Sequence, residues 1–143
     1  MTSALPDPST PFGRRVRDRL RSERVIWLTT VGRDGTPQPN PVWFVWNGDA
    51  EIMTYNLADA YRVAHIIERP RVALHFNSDP AADEVIVARG IAERADDQPP
   101  PHRLPEYLAK YGDAMTALSG DPETFAATYP VVVRVRITGV RGY

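Results

Sequence analysis

At 143 residues, 43% of them apolar and 24% charged, the chain has the size of one ordinary domain and can bury about two thirds of its unfolded surface. A net charge of −1 excludes global steering toward nucleic acid or anionic membrane, and the lack of cysteine excludes disulfides, thiolate catalysis and cysteine-based metal sites. No window approaches the ~20 apolar residues of a membrane span, and the N-terminus carries no apolar leader, so a cytoplasmic location is expected.

Residues 1–11 are polar and proline-rich and read as a loose tail, leaving 12–143 as a single domain. In "FGRRVRDRLRSERV" Phe12, Val16 and Leu20 recur every four residues and predict a short helix. Six arginines crowd its other face, either as a solvated surface or as a surface for anions. "VIWLTTV" predicts a strand that stops at the hairpin signal "GRDG". "PVWFVW", stopping at "NGD", and "AEIMTYN" predict two more, and the three runs together read as a meander. A short crossover helix follows, with Ala60, Val63, Ala64 and Ile67 at helical spacing and Pro70 closing it. "RVALHF" returns to the sheet, and "EVIVARGIAERA" is a fifth strand with a bulge expected at Gly90. "LPEYLAKYGDAMTAL" aligns Leu104, Leu108, Tyr111, Met115 and Leu118 on one helical stripe, and Asp121 with Pro122 marks the capped start of another helical turn. The chain ends in the alternating strand "VVVRVRITGVRGY". The expectation is a mainly β, α+β domain of about six antiparallel strands with short flanking helices, closed as a small barrel.

The segment "PQPNPVW" raises a question of hydrogen bonding. Neighbouring residues of an antiparallel strand point their N–H and C=O groups to opposite edges. Pro37, Pro39 and Pro41 therefore strip the donors from one edge, while Gln38, Asn40 and Val42 keep theirs on the other. The bare edge is either protection against aggregation or a row of acceptors for a flat ligand that carries ring N–H groups.

The common chemical signatures are absent: there is no dinucleotide-binding glycine pattern, no P-loop, no zincin helix and no nucleophile elbow. His65, His75 and His102 share no metal-ligand spacing, so no metal site is expected. His75 reads as a hydrogen-bonded sheet residue. Nucleic-acid binding through the arginine helix is disfavoured, because the aromatic residues that would stack on bases lie in strands that read as buried.

Several short segments in order, "WLTTVGRDGTPQPNPVWFVWNGDAEIMTYN", "RVAHIIERPRVALHF" and "YPVVVRVRITGVRGY", resemble the pyridoxamine 5'-phosphate oxidase-like, split β-barrel flavin-binding superfamily. The resemblance is closest to its branch that uses the deazaflavin coenzyme F420. It implies a flavin-reductase-like split barrel and a homodimer with cofactors at the interface, each held by both chains. The implied activity is that of an oxidoreductase exchanging hydride with a small conjugated substrate. By position in the family pattern, Tyr55 and Asn56 fall near the cofactor phosphate and Arg62 on the phosphate-binding cation. Asn40, Pro41, Val42 and Trp43 fall alongside the ring, with Thr29 and Thr30 as weaker candidates. The family's second cation is missing, and His65 or an arginine of a second chain would have to assist. No catalytic residue is assigned. The alternatives are an FMN-binding flavoprotein of the same superfamily and a non-catalytic cofactor-binding or structural dimer. The arginine helix gains a possible role under the F420 reading, as an attractor of that coenzyme's oligoglutamate tail.

Overall fold

In the computed structural model, described over residues 4–143, an antiparallel seven-stranded sheet curls into a half-barrel with helices at its ends and flank. Helix α1 (Pro11–Ser22) precedes β1 (Ile26–Val31), β2 (Pro37–Val42), β3 (Val45–Trp46) and β4 (Glu51–Asn56). Helix α2 (Tyr61–Glu68) leads to β5 (Arg71–His75) and β6 (Ile86–Arg94). After a 3-10 turn come α3 (Pro105–Ser119), α4 (Pro122–Thr128) and the long β7 (Val131–Gly142). The strand order is β2-β1-β5-β6-β7-β4-β3, so α2 carries the chain across β6 and β7.

The sheet has seven strands where about six were expected, and the expected meander is broken. "PVWFVW" does not run through as one strand: β2 ends at Val42 and pairs only with β1, while β3 pairs only with β4. Phe44, at the break, is fully buried, and its backbone groups are served by side chains of α3. Its N–H donates to the Tyr111 hydroxyl at 2.9 Å, and its carbonyl accepts from Lys110 Nζ at 2.9 Å. A buried peptide must be paired, and here two side chains replace a neighbouring strand.

β2 is an edge strand, with Pro37, Pro39 and Pro41 opposite Val31, Thr29 and Trp27 of β1. The donor-free side of the proline strand therefore lies along the free edge. The bulge appears at Arg89/Gly90. A Cβ on Gly90 would sit 2.8 Å from the Arg136 carbonyl oxygen, which explains why glycine stands where β6 and β7 come together.

The barrel core gathers Val16 and Leu20 of α1 with Leu28, Phe44, Ile52, Leu74, Val133 and Val135. A second cluster, rich in aromatics, packs α3 and α4 against the outer face of β4 and β7 through Tyr55, Tyr107, Tyr111, Met115 and Phe125. The α3 stripe is thus Tyr107, Tyr111 and Met115, while Leu118, expected within it, is 59% exposed. In α2 the buried pair is Val63 and Ile66, and Ile67 turns outward. Asp121 caps α4 through Oδ1, which accepts from Thr124 N–H at 2.7 Å.

Of the expected tail, residues 1–3 lie outside the described residues. The rest is anchored: Leu5 is buried, the Pro6 carbonyl accepts from Arg17 at 2.7 Å, and Thr10 caps α1 by accepting from Gly13 N–H. The tail is held because Leu5 joins the barrel core, and a Cβ on Gly13 would collide with the Asp7 carbonyl packed over α1.

Candidate functional site

The end of β4 delivers two side chains in different directions. Tyr55 projects into the aromatic cluster, edge-on to Tyr107 at 4.8 Å between centroids, and its hydroxyl donates to the Pro99 carbonyl at 2.7 Å. Burial pushes the Tyr55 phenol up to about 12, and the phenol is engaged as a structural donor. Asn56 is fully buried. Its amide nitrogen donates to the Thr54 carbonyl and hydroxyl and to the Val131 carbonyl, at 3.0–3.2 Å. These bonds fix the orientation of the amide, so its oxygen faces α2 and accepts from Arg62 Nε at 2.6 Å.

Arg62 therefore leaves its terminal nitrogens for the cavity it lines. That cavity, of about 250 Å³, is bounded by Pro41, Val42, Trp43, Tyr55, Phe125 and Tyr129, with Tyr107 and Leu118 of α3. Among the described residues no carboxylate pairs with Arg62. Burial lowers its pKa, but a guanidinium remains charged at neutral pH. A partly desolvated, oriented cation facing aromatic walls is suited to a phosphate or carboxylate on a planar ligand. Pro41 brings the donor-free edge of β2 to the same cavity, where its acceptors suit a ring that carries N–H groups.

The structure thus groups Pro41, Val42, Trp43, Tyr55 and Arg62 around one cavity, with Asn56 behind the arginine. Asn40 is half-buried in β2 and does not line the cavity. His65, one turn beyond Arg62, faces β1 instead: its Nδ1 lies 2.9 Å from the Thr30 hydroxyl, which leaves it no place beside the Arg62 guanidinium. Trp43 is half-buried and stacks on Tyr111 at 4.8 Å and on Phe125 at 5.5 Å, which fixes its ring in the cavity wall. Arg14 and Arg17 bond backbone carbonyls and Arg15 faces Glu84 at 3.7 Å; none lines the cavity. His75 stacks on Trp27 at 5.9 Å.

Sequence reasoning missed the far wall. Phe125 and Tyr129 were visible only as residues of a capped turn, and Tyr107 stood outside the expected stripe. The stacking that joins them to Trp43 is tertiary. Among the described residues no group of three or more His, Asp or Glu side chains could hold a metal ion, and no helix is long and apolar enough to cross a membrane.

The family profile described as "Pyridoxamine 5'-phosphate oxidase" matches residues 12–142. Among solved structures, an F420 reductase aligns with 27% identity and a TM-score of 0.66, covering 87% of this chain and 94% of its own. A conserved hypothetical protein from Mycobacterium tuberculosis aligns over 100% of this chain and 88% of its own, with 20% identity and a TM-score of 0.71. HutZ, the heme storage protein from Vibrio cholerae, shares the fold at 13% identity with a TM-score of 0.63, covering 90% of this chain and 92% of its own. None of the curated proteins matches the chain by sequence.

Proposed function

The chain belongs to the pyridoxamine 5'-phosphate oxidase family, and from that premise we propose that it is an oxidoreductase binding coenzyme F420 between two copies of itself. The observation that carries this reading is the Arg62 guanidinium, oriented by Asn56 and, among the described residues, paired with no carboxylate, in an aromatic cavity beside the donor-free edge of β2. The similarity to an F420 reductase at 27% identity favours the deazaflavin over other cofactors of the fold.

When bound, the coenzyme supplies a ring carbon that gives or takes hydride. The protein's part is to hold, orient and dry the reacting pair. Arg62 would hold the phosphate, a charge-assisted contact typically worth about 1.5–3 kcal/mol. The acceptor edge at Pro41 would hold ring N–H groups, and Trp43 with Tyr129 would exclude water. Tyr55, its phenol donating to Pro99, positions the cavity wall and is not assigned as a proton donor. The substrate is a small conjugated acceptor in this reading.

The cavity of about 250 Å³ is smaller than the roughly 300–1,000 Å³ that encloses a drug-sized ligand. Leu118 at its rim is 59% exposed, and Tyr61 and Ile67 on α2 are 84% and 67% exposed. A second copy laid over this rim would complete the site and cover these side chains. A cytoplasmic homodimer acting on a small molecule, with neither nucleic acid nor membrane as partner, is the corresponding proposal for assembly and place.

FMN is the second reading, because its phosphate suits the same guanidinium. Parallel titrations of the cofactor-free protein with F420 and FMN, followed by quenching of Trp43, separate the two. Tighter binding of F420, weakened about ten- to a hundredfold by Arg62→Ala, is the expected result. A preference for FMN would move the protein to the flavin enzymes, and binding of neither would leave a structural or differently loaded dimer.

A further inference from the structure

A second and larger cavity, of about 730 Å³, lies between α3 and the β3–β4 hairpin. Its walls are mainly apolar, from Leu20, Val45, Trp46, Met53 and Leu104. Its wall also holds Lys110, the only lysine in the sequence. The Lys110 Nζ donates to the Phe44 carbonyl at 2.9 Å and stands 3.8 Å from the centroid of the Phe44 ring and 5.3 Å from that of Tyr111. Among the described residues it forms no ion pair.

The carbonyl and ring contacts favour the ammonium, while its burial opposes the charge. Burial, then the neighbouring Arg24, lower its pKa to about 8, against a smaller opposing pull from Glu23. Arg24 is fixed there by donating to the Lys110 carbonyl at 2.8 Å. The Tyr111 phenol, itself pushed up to about 12 chiefly by burial, stays neutral beside the amine. The other charged groups around the cavity are committed or lie on its rim. Arg134 pairs with Glu93 at 2.8 Å, and Arg21 lies 3.6 Å from Asp18. Glu51 and Glu106 line the cavity without an ion pair to Lys110.

We propose that this cavity is a second binding site, in which the amine of Lys110 condenses with a small, mainly apolar aldehyde. The lone pair of Nζ attacks the carbonyl carbon, and the carbonyl oxygen takes up a proton to give a carbinolamine. Loss of water then forms the imine, so amine and aldehyde become imine and water with no change in oxidation state. An amine held in the wall of this chamber with no ion pair, which loses its proton close to neutral pH, is the nucleophile such a carbonyl needs. No residue lines both this cavity and the Arg62 cavity.

The test treats the full chain with cinnamaldehyde and sodium cyanoborohydride at pH 7.5 and maps the adducts by mass, native and in urea. Near that pH about a quarter of an amine with pKa about 8 is neutral, against about a thousandth of an ordinary lysine. Lys110 labelling should therefore be at least about tenfold faster in the native chain than in urea. It should also saturate with aldehyde concentration, rise through pH 8, and vanish in Lys110→Arg. Labelling of Lys110 no faster than in urea, a native rate that stays linear in aldehyde, or labelling confined to the N-terminal amine would each overturn the proposal.

Discussion

Arg62 and Lys110 are both half-buried cations that pair with no carboxylate among the described residues, each set in a cavity walled partly by α3. Their environments drive them apart. Arg62 is held by a side-chain amide oxygen and keeps its delocalised charge. Lys110 is held by a backbone carbonyl over two aromatic rings, and burial brings its proton within reach of neutral pH. In the two readings proposed above, the same degree of burial serves an anion anchor in one place and a nucleophile in the other. The chemistry follows from the identity of the cation and of its acceptor, not from burial alone.

The sharpest way to break the contrast is to remove the acceptor that orients Arg62. Asn56→Ala deletes one bond to the guanidinium and three donated bonds inside the sheet. We expect a loss of about 2 kcal/mol in urea unfolding, together with weaker cofactor binding than that loss explains. Unchanged binding in a folded Asn56→Ala protein would show that Arg62 needs no orienting partner.

Next in size is the group that supports Lys110. Tyr111→Phe leaves the buried Phe44 N–H without its acceptor and removes the phenol that donates to the Arg24 carbonyl at 2.6 Å. A destabilisation of about 1–2 kcal/mol is expected. The Arg62 cavity should still bind its ligand with little change, because Tyr111 does not line it.

These two residues also show how far the sequence could be read. The proline alternation revealed the free edge of β2, since proline's missing donor is a covalent fact that needs no tertiary context. The glycine bulge and the Asp121 cap are equally local. The break at Trp43–Phe44 was hidden because both residues favour strands, and what ends the strand is a tyrosine and a lysine 66–67 positions away. Arg62 was singled out through the family pattern, whereas its orientation by Asn56, the stacking of Trp43 on Tyr111 and Phe125 and the diversion of His65 to Thr30 are products of packing. Lys110 was visible only as a solitary lysine among arginines, because its neighbours are distant in the chain.

The smallest expected effect concerns protons. Lys110 has a folded pKa, about 8, below the value near 10.4 of an unfolded lysine. Between these values the unfolded chain binds more protons, so stability rises with pH. After allowance for partial exposure, the gain from pH 7.5 to 9.5 should be about 1 kcal/mol. Tyr55 and Tyr111 act in the opposite sense at higher pH. Their folded pKa values, about 12, exceed the unfolded value near 10, so the unfolded chain loses those protons first and stability falls above pH 10. Chemical denaturation across pH 7–11 should show a rise and then a fall. Lys110→Met should remove the rise and keep the fall, while Arg62→Met, whose parent side chain does not titrate in this range, should leave both. If Lys110→Met kept the rise, the ammonium would not be the group relieved by deprotonation, and the distinction between the two cations would have to rest on geometry alone.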